Sequence, residues 1–383
     1  MRRVYVSCFG SGLGHATRML EVARLLRGAG CTVVFSSSGE VSSFIRRMGF
    51  RCYGVPLVDV SYTPDGEFSA SRTLALSPLL SARACLQFAQ ELRNISSFSP
   101  DVVLSDSMLS TVVAAKLRGM RVVTVLNQLR LQSSHSSSVV SSAVSAFTAE
   151  WLGRLWGRSD SLLIPDLPPP YTISERNLWG VRAAARARYI GFLVPENREG
   201  SDKVVDSLWE EKRPKIFFQV SGPPRTRGPL LRAALEVASI LSDRYLFVLS
   251  GGDPEGSPVP KRIAGGWYYE WCGVTGRLFR ECDVVVSRAG HGTLSQIITN
   301  SKPSLLIPIP GQTEQEGNAS KAVRLGISLR LDQRYLSSAS FNDSMERLLS
   351  GKYAERAREV GRVANSYSAK QEVLSEVMRL SCQ

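Results

Sequence analysis

The 383-residue chain has no long hydrophobic run, only three histidines and no regular cysteine pattern. Its longest apolar runs, at 122–126 and 305–309, have the length of a strand, whereas a membrane-spanning helix needs about 18–20 apolar residues. Seven scattered cysteines without a Cys-x-x-Cys spacing favour reduced thiols and argue against a disulfide framework or a zinc site. No His/Asp cluster and no Asp-x-Asp pair occurs, so we expect no metal held by the protein. The reduced thiols favour a cytoplasmic protein.

Acidic residues are in the minority, with 34 against 47 lysines and arginines and a net charge of +13. Residues 1–190 hold 21 basic and 12 acidic side chains, so most of the excess lies in the first half. A basic surface predicts an anionic partner, either a phosphate-bearing substrate or an anionic lipid surface. No nucleic-acid-binding motif is present, which disfavours nucleic acid, and a merely solvated cationic surface stays an alternative.

Strands alternate with helices along both halves of the chain. Val4–Phe9 predicts a strand and Thr17–Arg27 a helix, and a second series begins near residue 191. This alternation predicts an α/β protein with two Rossmann-like, doubly wound parallel sheets. The predicted domains are 1–190 and 191–364, and the last helix, at about 365–383, can pack back onto the first domain.

The segment 128–158 is serine-rich and then amphipathic. One helical stretch carries the apolar side chains of Trp151, Leu152, Leu155 and Trp156 beside Arg154 and Arg158. Two interpretations stay open, a helix at the membrane surface or a helix packed on its own domain.

A glycine turn joins the first predicted strand to the first helix. Gly12 and Gly14 let the backbone approach an anion at the helix N-terminus, and His15 follows directly. The Gly-x-Gly-x-Gly spacing is not that of a dinucleotide site. His15 at the carboxyl edge of a sheet is a candidate general base. A plain strand–helix turn is the alternative for the glycines.

Asp106 follows another strand, at 102–104, and therefore lies at the same predicted sheet edge. A carboxylate there can orient His15 and stabilise its charged form. A helix N-cap is the alternative role for this residue.

The strongest pattern runs from Asp283 to Ala319. Gly290, His291, Gly292 and Thr293 form a turn at a helix start, which suits a diphosphate through backbone N–H groups and the Thr293 hydroxyl. Gln296, one helical turn later, can reach a ribose. A polar loop at 312–315 then supplies amides and a carboxylate, which suit sugar hydroxyls.

The segments 283–296 and 302–319 resemble the donor-binding signature of the GT-B glycosyltransferases, most closely the MurG type and next the UDP-glycosyltransferases. The resemblance implies two Rossmann-like domains facing across a cleft, a UDP-sugar donor on the second domain, and neither cofactor nor metal. It implies that His15 and Asp106 are catalytic, with Gly12 and Gly14 on the acceptor side. The donor-binding residues that it implies are Ser221, Gly222, Trp271, Arg288, Gly290, His291, Gly292, Thr293, Gln296, Glu314 and Gln315.

The chain departs from this pattern at two places. Gln296 stands where these families usually carry a ribose-binding glutamate, which leaves the nucleotide preference open. The sugar-binding element reads Thr313-Glu314-Gln315, so the contact made by each residue is also open.

The expected function is that of an inverting, metal-independent glycosyltransferase. It would move a sugar, N-acetylglucosamine or another hexose, from a UDP-sugar to an acceptor hydroxyl, with a lipid-linked acceptor at the cytoplasmic face of a membrane favoured by the basic first half. A nucleotide-sugar 2-epimerase of the same fold and a non-catalytic sugar-nucleotide-binding subunit are the alternatives.

Overall fold

The computed structural model divides the chain into two compact units, each built on a β-sheet with helices packed on it. The first unit comprises Met1–Ser61, Ser69–Val194 and Tyr367–Gln383, and the second comprises Tyr62–Phe68 and Pro195–Ser366. The structure describes residues 1–59, 61–64, 66–128, 150–178, 186–196 and 202–382.

The first unit contains a seven-stranded sheet within the described ranges. Its strands are β1 Arg3–Cys8, β2 Thr32–Ser37, β3 Cys52–Gly54, β4 Val102–Asp106, β5 Arg121–Val125, β6 Ser161–Ile164 and β7 Arg188–Tyr189. Its helices are α1 Gly14–Gly28, α2 Gly39–Arg47, α3 Ala70–Ala75, α4 Ser77–Phe98, α5 Leu109–Leu117, α6 Glu175–Leu178 and α14 Ala369–Leu380, and residues 150–156 are also helical.

All pairs in the first sheet are parallel, in the order β3-β2-β1-β4-β5-β6-β7. The direction of chain progression reverses between β1 and β4, where Val4 pairs with Val102 and Cys8 pairs with Asp106. Doubly wound folds place their ligand sites at the carboxyl edge beside such a reversal. The C-terminal helix α14 packs against α1, β4 and β5 within this unit.

The second unit has another seven-stranded sheet in the part of the chain that is described. Its strands are β8 Lys215–Gln219, β9 Leu246–Ser250, β10 Lys261–Ile263, β11 Gly266–Tyr269, β12 Val284–Ser287, β13 Ser304–Leu306 and β14 Ser328–Arg330. Its α-helices are α7 Lys203–Ser207, α8 Pro224–Ile240, α9 Thr275–Glu281, α10 His291–Thr299, α11 Thr313–Arg324, α12 Ser338–Leu349 and α13 Lys352–Asn365, and Leu208–Glu210 and Gln333–Tyr335 form 3-10 turns.

The strand order in this sheet is β10-β11-β9-β8-β12-β13-β14, and every pair except β10–β11 is parallel. The chain reverses direction between β8 and β12, as it does between β1 and β4 in the first unit. The central strands of both sheets are almost fully buried, because helices cover both faces of each sheet. Strands buried on both faces consist of continuous apolar runs. The predicted pair of doubly wound parallel sheets is confirmed.

One helix differs from its predicted start in a way that affects the site. A polar loop was expected at 312–315, whereas α11 begins at Thr313. Glu314 and Glu316 in the first turn favour this earlier start, because acidic side chains stabilise a helix N-terminus. The residues expected in the loop therefore occupy the first turn of a helix.

Of the segment 128–158, residues 129–149 lie outside the described residues. Trp156 is buried in the core of the first unit, whereas Trp151 is 54% exposed. No helix among the described residues is both long and apolar enough to cross a bilayer.

Candidate active site

The glycine turn of the first unit carries the chain from the end of β1 into α1. The N–H of Phe9 donates to the carbonyl of Asp106 at 3.1 Å, which extends the pairing of β1 with β4. At Gly10 a Cβ atom would lie 2.2 Å from Oγ of Ser38, so a side chain is excluded by this close approach. The turn thus places His15, in the first turn of α1, beside the end of β4.

His15 and Asp106 meet at this edge. Nδ1 of His15 lies 3.0 Å from Oδ1 of Asp106, which is fully buried, while 23% of the His15 side chain is exposed. The alternative role of Asp106 as a helix N-cap is wrong, because α5 begins after Met108 and has no side-chain cap. The carboxylate faces the imidazole, and the imidazole reaches solvent.

A buried arginine, Arg18, completes this group. Its Nε donates to Oδ2 of Asp106 at 2.6 Å and its Nη2 to Oδ1 at 2.5 Å. Burial alone raises the pKa of the Asp106 carboxyl, but the charge of Arg18 and the contact with His15 outweigh it and hold that pKa below its ordinary value. Asp106 is therefore ionised throughout the physiological pH range and acts as an acceptor.

The sequence reasoning missed Arg18 and Asn127. Arg18 lies three residues after His15, on the same face of α1, and Nη2 lies 3.3 Å from Oδ1 of Asn127. Asn127 follows β5 and so reaches the same sheet edge. The helical spacing from His15 is the signal that identifies Arg18.

In the second unit, two turns follow the strands β8 and β12, which flank the reversal point. Ser221 and Gly222 follow β8, and Gly290 precedes α10 after β12. Gly222 has a φ of 111°, and a Cβ there would lie 2.8 Å from Oγ1 of Thr226. This turn requires glycine, and its backbone remains accessible at the sheet edge.

The helix α10 begins at His291, with Gly290 as its N-cap. Gly292, Thr293 and Gln296 are partly exposed, whereas His291 is buried. The space beside Gly290 is open, since a Cβ atom there would have no heavy atom within 4 Å apart from those of its chain neighbours. One side of the first turn of α10, at Gly292 and Thr293, is therefore partly exposed, and a helix N-terminus of this kind suits an anion.

Gln296 lies on that same side of α10. Its Nε2 donates to the carbonyl of Gly292 at 3.3 Å, a weak contact that a ligand can displace. The side chain is thus held next to the turn rather than buried in the core.

Glu314 and Gln315 point in different directions from the first turn of α11. Glu314 is partly exposed, whereas Gln315 is buried and its Oε1 accepts the N–H of Ile309 at 3.0 Å. Asn318, on the next turn, donates from Nδ2 to the carbonyl of Ala289 at 3.1 Å. The prediction that Gln315 contacts a sugar is corrected in this respect: its side-chain oxygen holds the loop after β13, and Glu314 presents the accessible carboxylate.

Arg288 also differs from its predicted role. Its guanidinium is buried and donates to the carbonyls of Ile307, Pro308 and Thr226 and to Oε1 of Gln333. Burial lowers the pKa of Arg288 to about 9, so it stays charged at neutral pH. Arg288 thus joins two backbone segments, at Thr226 and at 307–308, to the Gln333 side chain and presents almost no surface to a donor.

Trp271 follows β11 at the same edge of the second sheet. Its backbone N–H donates to the carbonyl of Ser257 at 3.1 Å, and its side chain is partly exposed. Strand order places it beyond β9, at some distance from the turns of β8 and β12 and toward the edge of the sheet.

The chain is similar to known glycosyltransferases. Residues 266–373 match the family described as the glycosyltransferase family 28 C-terminal domain. An uncharacterized glycosyltransferase of Methanosarcina mazei is 26% identical over 368 residues, which cover 95% of this chain and 94% of the relative.

A shorter match shows higher identity. The UDP-N-acetylglucosamine–N-acetylmuramyl-(pentapeptide) pyrophosphoryl-undecaprenol N-acetylglucosamine transferase of Prochlorococcus marinus is 38% identical over 151 residues, 35% of this chain and 42% of that protein. Among solved structures, the Streptomyces glycosyltransferase SsfS6, complexed with thymidine diphosphate, is similar with a TM-score of 0.68 and 18% identity. That alignment covers 99% of this chain and 100% of the other.

The match of residues 266–373 to a glycosyltransferase domain, the glycosyltransferase relatives along nearly the whole chain and the two doubly wound sheets together identify the chain as a glycosyltransferase with the GT-B fold.

Proposed function

We propose that the protein is an inverting glycosyltransferase that moves a sugar from a UDP-sugar to an acceptor hydroxyl without a metal ion. The observation that carries the proposal is the 3.0 Å contact between Nδ1 of His15 and Oδ1 of the buried, ionised Asp106. The Nδ1–H group donates to that carboxylate, which leaves the Nε2 lone pair free to take the proton of the attacking hydroxyl group.

The reaction is a single displacement. The acceptor oxygen forms a bond to the anomeric carbon as its proton passes to Nε2 of His15. The bond from that carbon to the diphosphate oxygen breaks, and the nucleoside diphosphate leaves with the electron pair. One in-line displacement inverts the configuration at the anomeric carbon.

The second unit would hold the donor. The first turn of α10, from Gly290 to Thr293, supplies N–H groups and a positive helix end for the diphosphate, and Ser221-Gly222 lies beside it across the β8–β12 pair. These groups would stabilise the charge of the leaving diphosphate, the task that a metal ion performs in other transferases. Gln296 would contact the ribose, and Glu314 a sugar hydroxyl.

UDP is the favoured nucleotide because a relative that is 38% identical over 151 residues is named for a UDP-N-acetylglucosamine donor. Thymidine diphosphate is the competing ligand, since SsfS6 is described in complex with it. Because Gln296 stands where these families usually carry a carboxylate, the preference between UDP and thymidine diphosphate has to be measured.

A lipid-linked acceptor is supported by one surface of the first unit. The segment 70–98, containing α3 and α4, has one acidic residue, Glu91, which is fully buried. Its exposed side chains include three leucines and three arginines: Leu76, Leu79, Leu86, Arg72, Arg83 and Arg93. Apolar and cationic side chains on one surface suit an acceptor with a hydrocarbon tail and a phosphate at an anionic membrane.

A cytoplasmic site of action fits the cysteines. All seven are free thiols, and five of them are buried, as in proteins of reducing compartments.

The experiment combines binding with turnover. Thermal unfolding is followed with UDP, GDP, thymidine diphosphate and NAD, and a ligand at 100 times its Kd is expected to add about 2.7 kcal/mol of stability. UDP-sugar turnover is then measured with polyprenyl-phosphate-linked and water-soluble acceptors. Stabilisation by UDP but not NAD, with acceptor-dependent UDP release, supports the proposal.

Two results would contradict it. Equal stabilisation by NAD would remove the assigned donor site. Interconversion of UDP-N-acetylglucosamine with its 2-epimer in the absence of acceptor would indicate an epimerase instead.

A further inference from the structure

Arg18 has more contacts with the His15–Asp106 pair than charge neutralisation requires. It is 4% exposed, binds both carboxylate oxygens of Asp106, and also places Nη2 3.0 Å from Nδ1 of His15. One arginine nitrogen therefore approaches the same imidazole atom that faces Asp106.

The two contacts of Nδ1 require opposite tautomers of His15. A carboxylate only accepts and a guanidinium only donates, so Nδ1 must carry a proton to bond Asp106 and a lone pair to bond Arg18. With the proton on Nδ1, Nε2 is a base. With the lone pair on Nδ1, Nε2 carries the proton and cannot accept one from a substrate.

Asn127 offers Nη2 an alternative acceptor. Its Oδ1 lies 3.3 Å from Nη2, and Asn127 is 4% exposed, so this amide is held in the buried cluster. When Nη2 donates to Asn127 and Asp106, the Nδ1 atom of His15 is left to donate to the carboxylate. The amide thereby favours the tautomer in which His15 is a base.

Charge acts in the same direction. Arg18 and Asp106 together are neutral, so a proton taken up by His15 adds a positive charge next to the guanidinium. Without Arg18, the buried carboxylate would stabilise the imidazolium without opposition. Further groups next to these side chains are the Ser107 hydroxyl, 3.1 Å from Oδ1 of Asp106, the Phe9 ring, whose edge-on contact with His15 has a centroid distance of 5.7 Å, and the thiol of Cys8, whose pKa burial raises.

We propose that Arg18 is a positioning residue for catalysis: with Asn127, it fixes the Asp106 carboxylate, selects the Nδ1-protonated tautomer of His15 and keeps the imidazole neutral until it takes the acceptor proton. This inference rests on the proposed role of His15 as the general base.

The test compares Arg18→Met, Arg18→Lys and Asn127→Leu by kcat, by KM for the UDP-sugar and by the pH dependence of kcat/KM. Arg18→Met is expected to lower kcat about 100-fold, as loss of alignment does, with a small change in KM. It should also move the acidic limb of the pH profile to higher pH, because the unopposed carboxylate favours the protonated imidazole. Arg18→Lys restores the charge and should return that limb to the wild-type position, with only part of kcat recovered.

Asn127→Leu separates geometry from charge. It removes the acceptor for Nη2 and keeps the arginine, so kcat should fall while the acidic limb stays in place. Arg24→Met is the matched control, since Arg24 is also on α1 and pairs with a buried carboxylate, Glu21, outside this cluster. Near-ultraviolet circular dichroism reports the fold of each variant, and if Arg18→Met does not fold, Arg18→Lys and Asn127→Leu carry the test.

The outcomes separate this inference from the proposed function. Wild-type rates and pH profiles in folded Arg18 and Asn127 variants, together with an inactive His15→Ala, would overturn the role of Arg18 alone. Full turnover by His15→Ala would overturn the proposed function itself. A kcat loss in Arg18→Met that Arg24→Met reproduces would show a general effect on α1 and would also overturn the inference.

Discussion

Nδ1 of His15 lies 3.0 Å from Oδ1 of Asp106, and these two residues come from different elements, the first turn of α1 and the end of β4. The parallel pairing of β1 with β4 brings them together across 91 residues of sequence. The carboxyl end of β4 is paired with the end of β1, so the residues that follow these two strands lie at the same edge of the sheet. This geometry gives the clearest predictions for the enzyme.

Replacement of His15 by alanine is expected to lower kcat by about 10²–10⁴-fold, the usual contribution of general-base catalysis. Donor affinity, measured by calorimetric titration with UDP, should change little, because the residues proposed to bind the donor lie on the second unit. Wild-type turnover in this variant would instead make His15 a structural residue of the glycine turn.

Asp106→Asn should lower turnover in the same direction and should also destabilise the first unit. The neutral amide leaves the buried Arg18 charge without its carboxylate, and breaking a buried ion pair in this way costs about 3–5 kcal/mol. Urea unfolding followed by tryptophan fluorescence measures the loss. Asp160→Asn, at a partly exposed pair with Lys116 and Arg121, is the control and should cost much less.

Gln296 is expected to contribute to nucleotide affinity. Gln296→Leu should weaken UDP binding by roughly tenfold, because it leaves a ribose hydroxyl without a partner, which costs about 1–3 kcal/mol. Gln296→Glu should bind UDP equally or more tightly, since a charged acceptor strengthens the hydrogen bond. Calorimetry measures the UDP affinity of both variants, with Asn300→Leu, one residue after the end of α10, as the control. Unchanged affinity in Gln296→Leu means that Gln296 does not contact the nucleotide.

Glu91 gives the first unit a pH-dependent stability. Burial raises the pKa of Glu91 from 4.5 to about 7, although the Ser36 and Tyr5 hydroxyls donate to its carboxylate and oppose this effect. The folded state binds this proton more tightly than the unfolded state, so the stabilisation is complete below about pH 4.5 and is lost as the pH rises through about 7.

Glu91→Gln should therefore be more stable than the wild type at pH 8, by up to about 3 kcal/mol, and should gain little at pH 5. Thermal unfolding at the two pH values measures the difference, and Glu40→Gln on α2 is the control. A gain of the same size at both pH values would show that Glu91 does not titrate in this range.

Chelation is expected to leave transfer largely intact. The sequence has no Asp-x-Asp pair, and among the described residues no group of three or more His, Cys, Asp or Glu side chains is placed to bind a metal ion. Turnover is measured after dialysis against EDTA, with and without added magnesium. Loss of activity that magnesium restores would contradict the proposed role of α10 in stabilising the leaving diphosphate.

The sequence by itself determined the two doubly wound sheets and the positions of the turns that follow their central strands. Alternating apolar strands and helices, each ended by glycine or a polar residue, leave few topologies open. His15 and Asp106 could be paired from sequence because both follow strands of one predicted parallel sheet. Local patterns of this kind encode where an element ends and which edge its end occupies.

Only the tertiary structure decided what each side chain at those edges contacts. Arg18, Arg288 and Gln315 are all polar residues near a predicted site, yet Arg18 joins the His15–Asp106 pair while Arg288 and Gln315 hold backbone segments. The choice depends on which buried acceptors and donors lack partners once the sheet and helices have packed, and these partners are 3 to 109 residues away in the chain. Burial makes such hydrogen bonds obligatory, and sequence spacing does not reveal which group fulfils them.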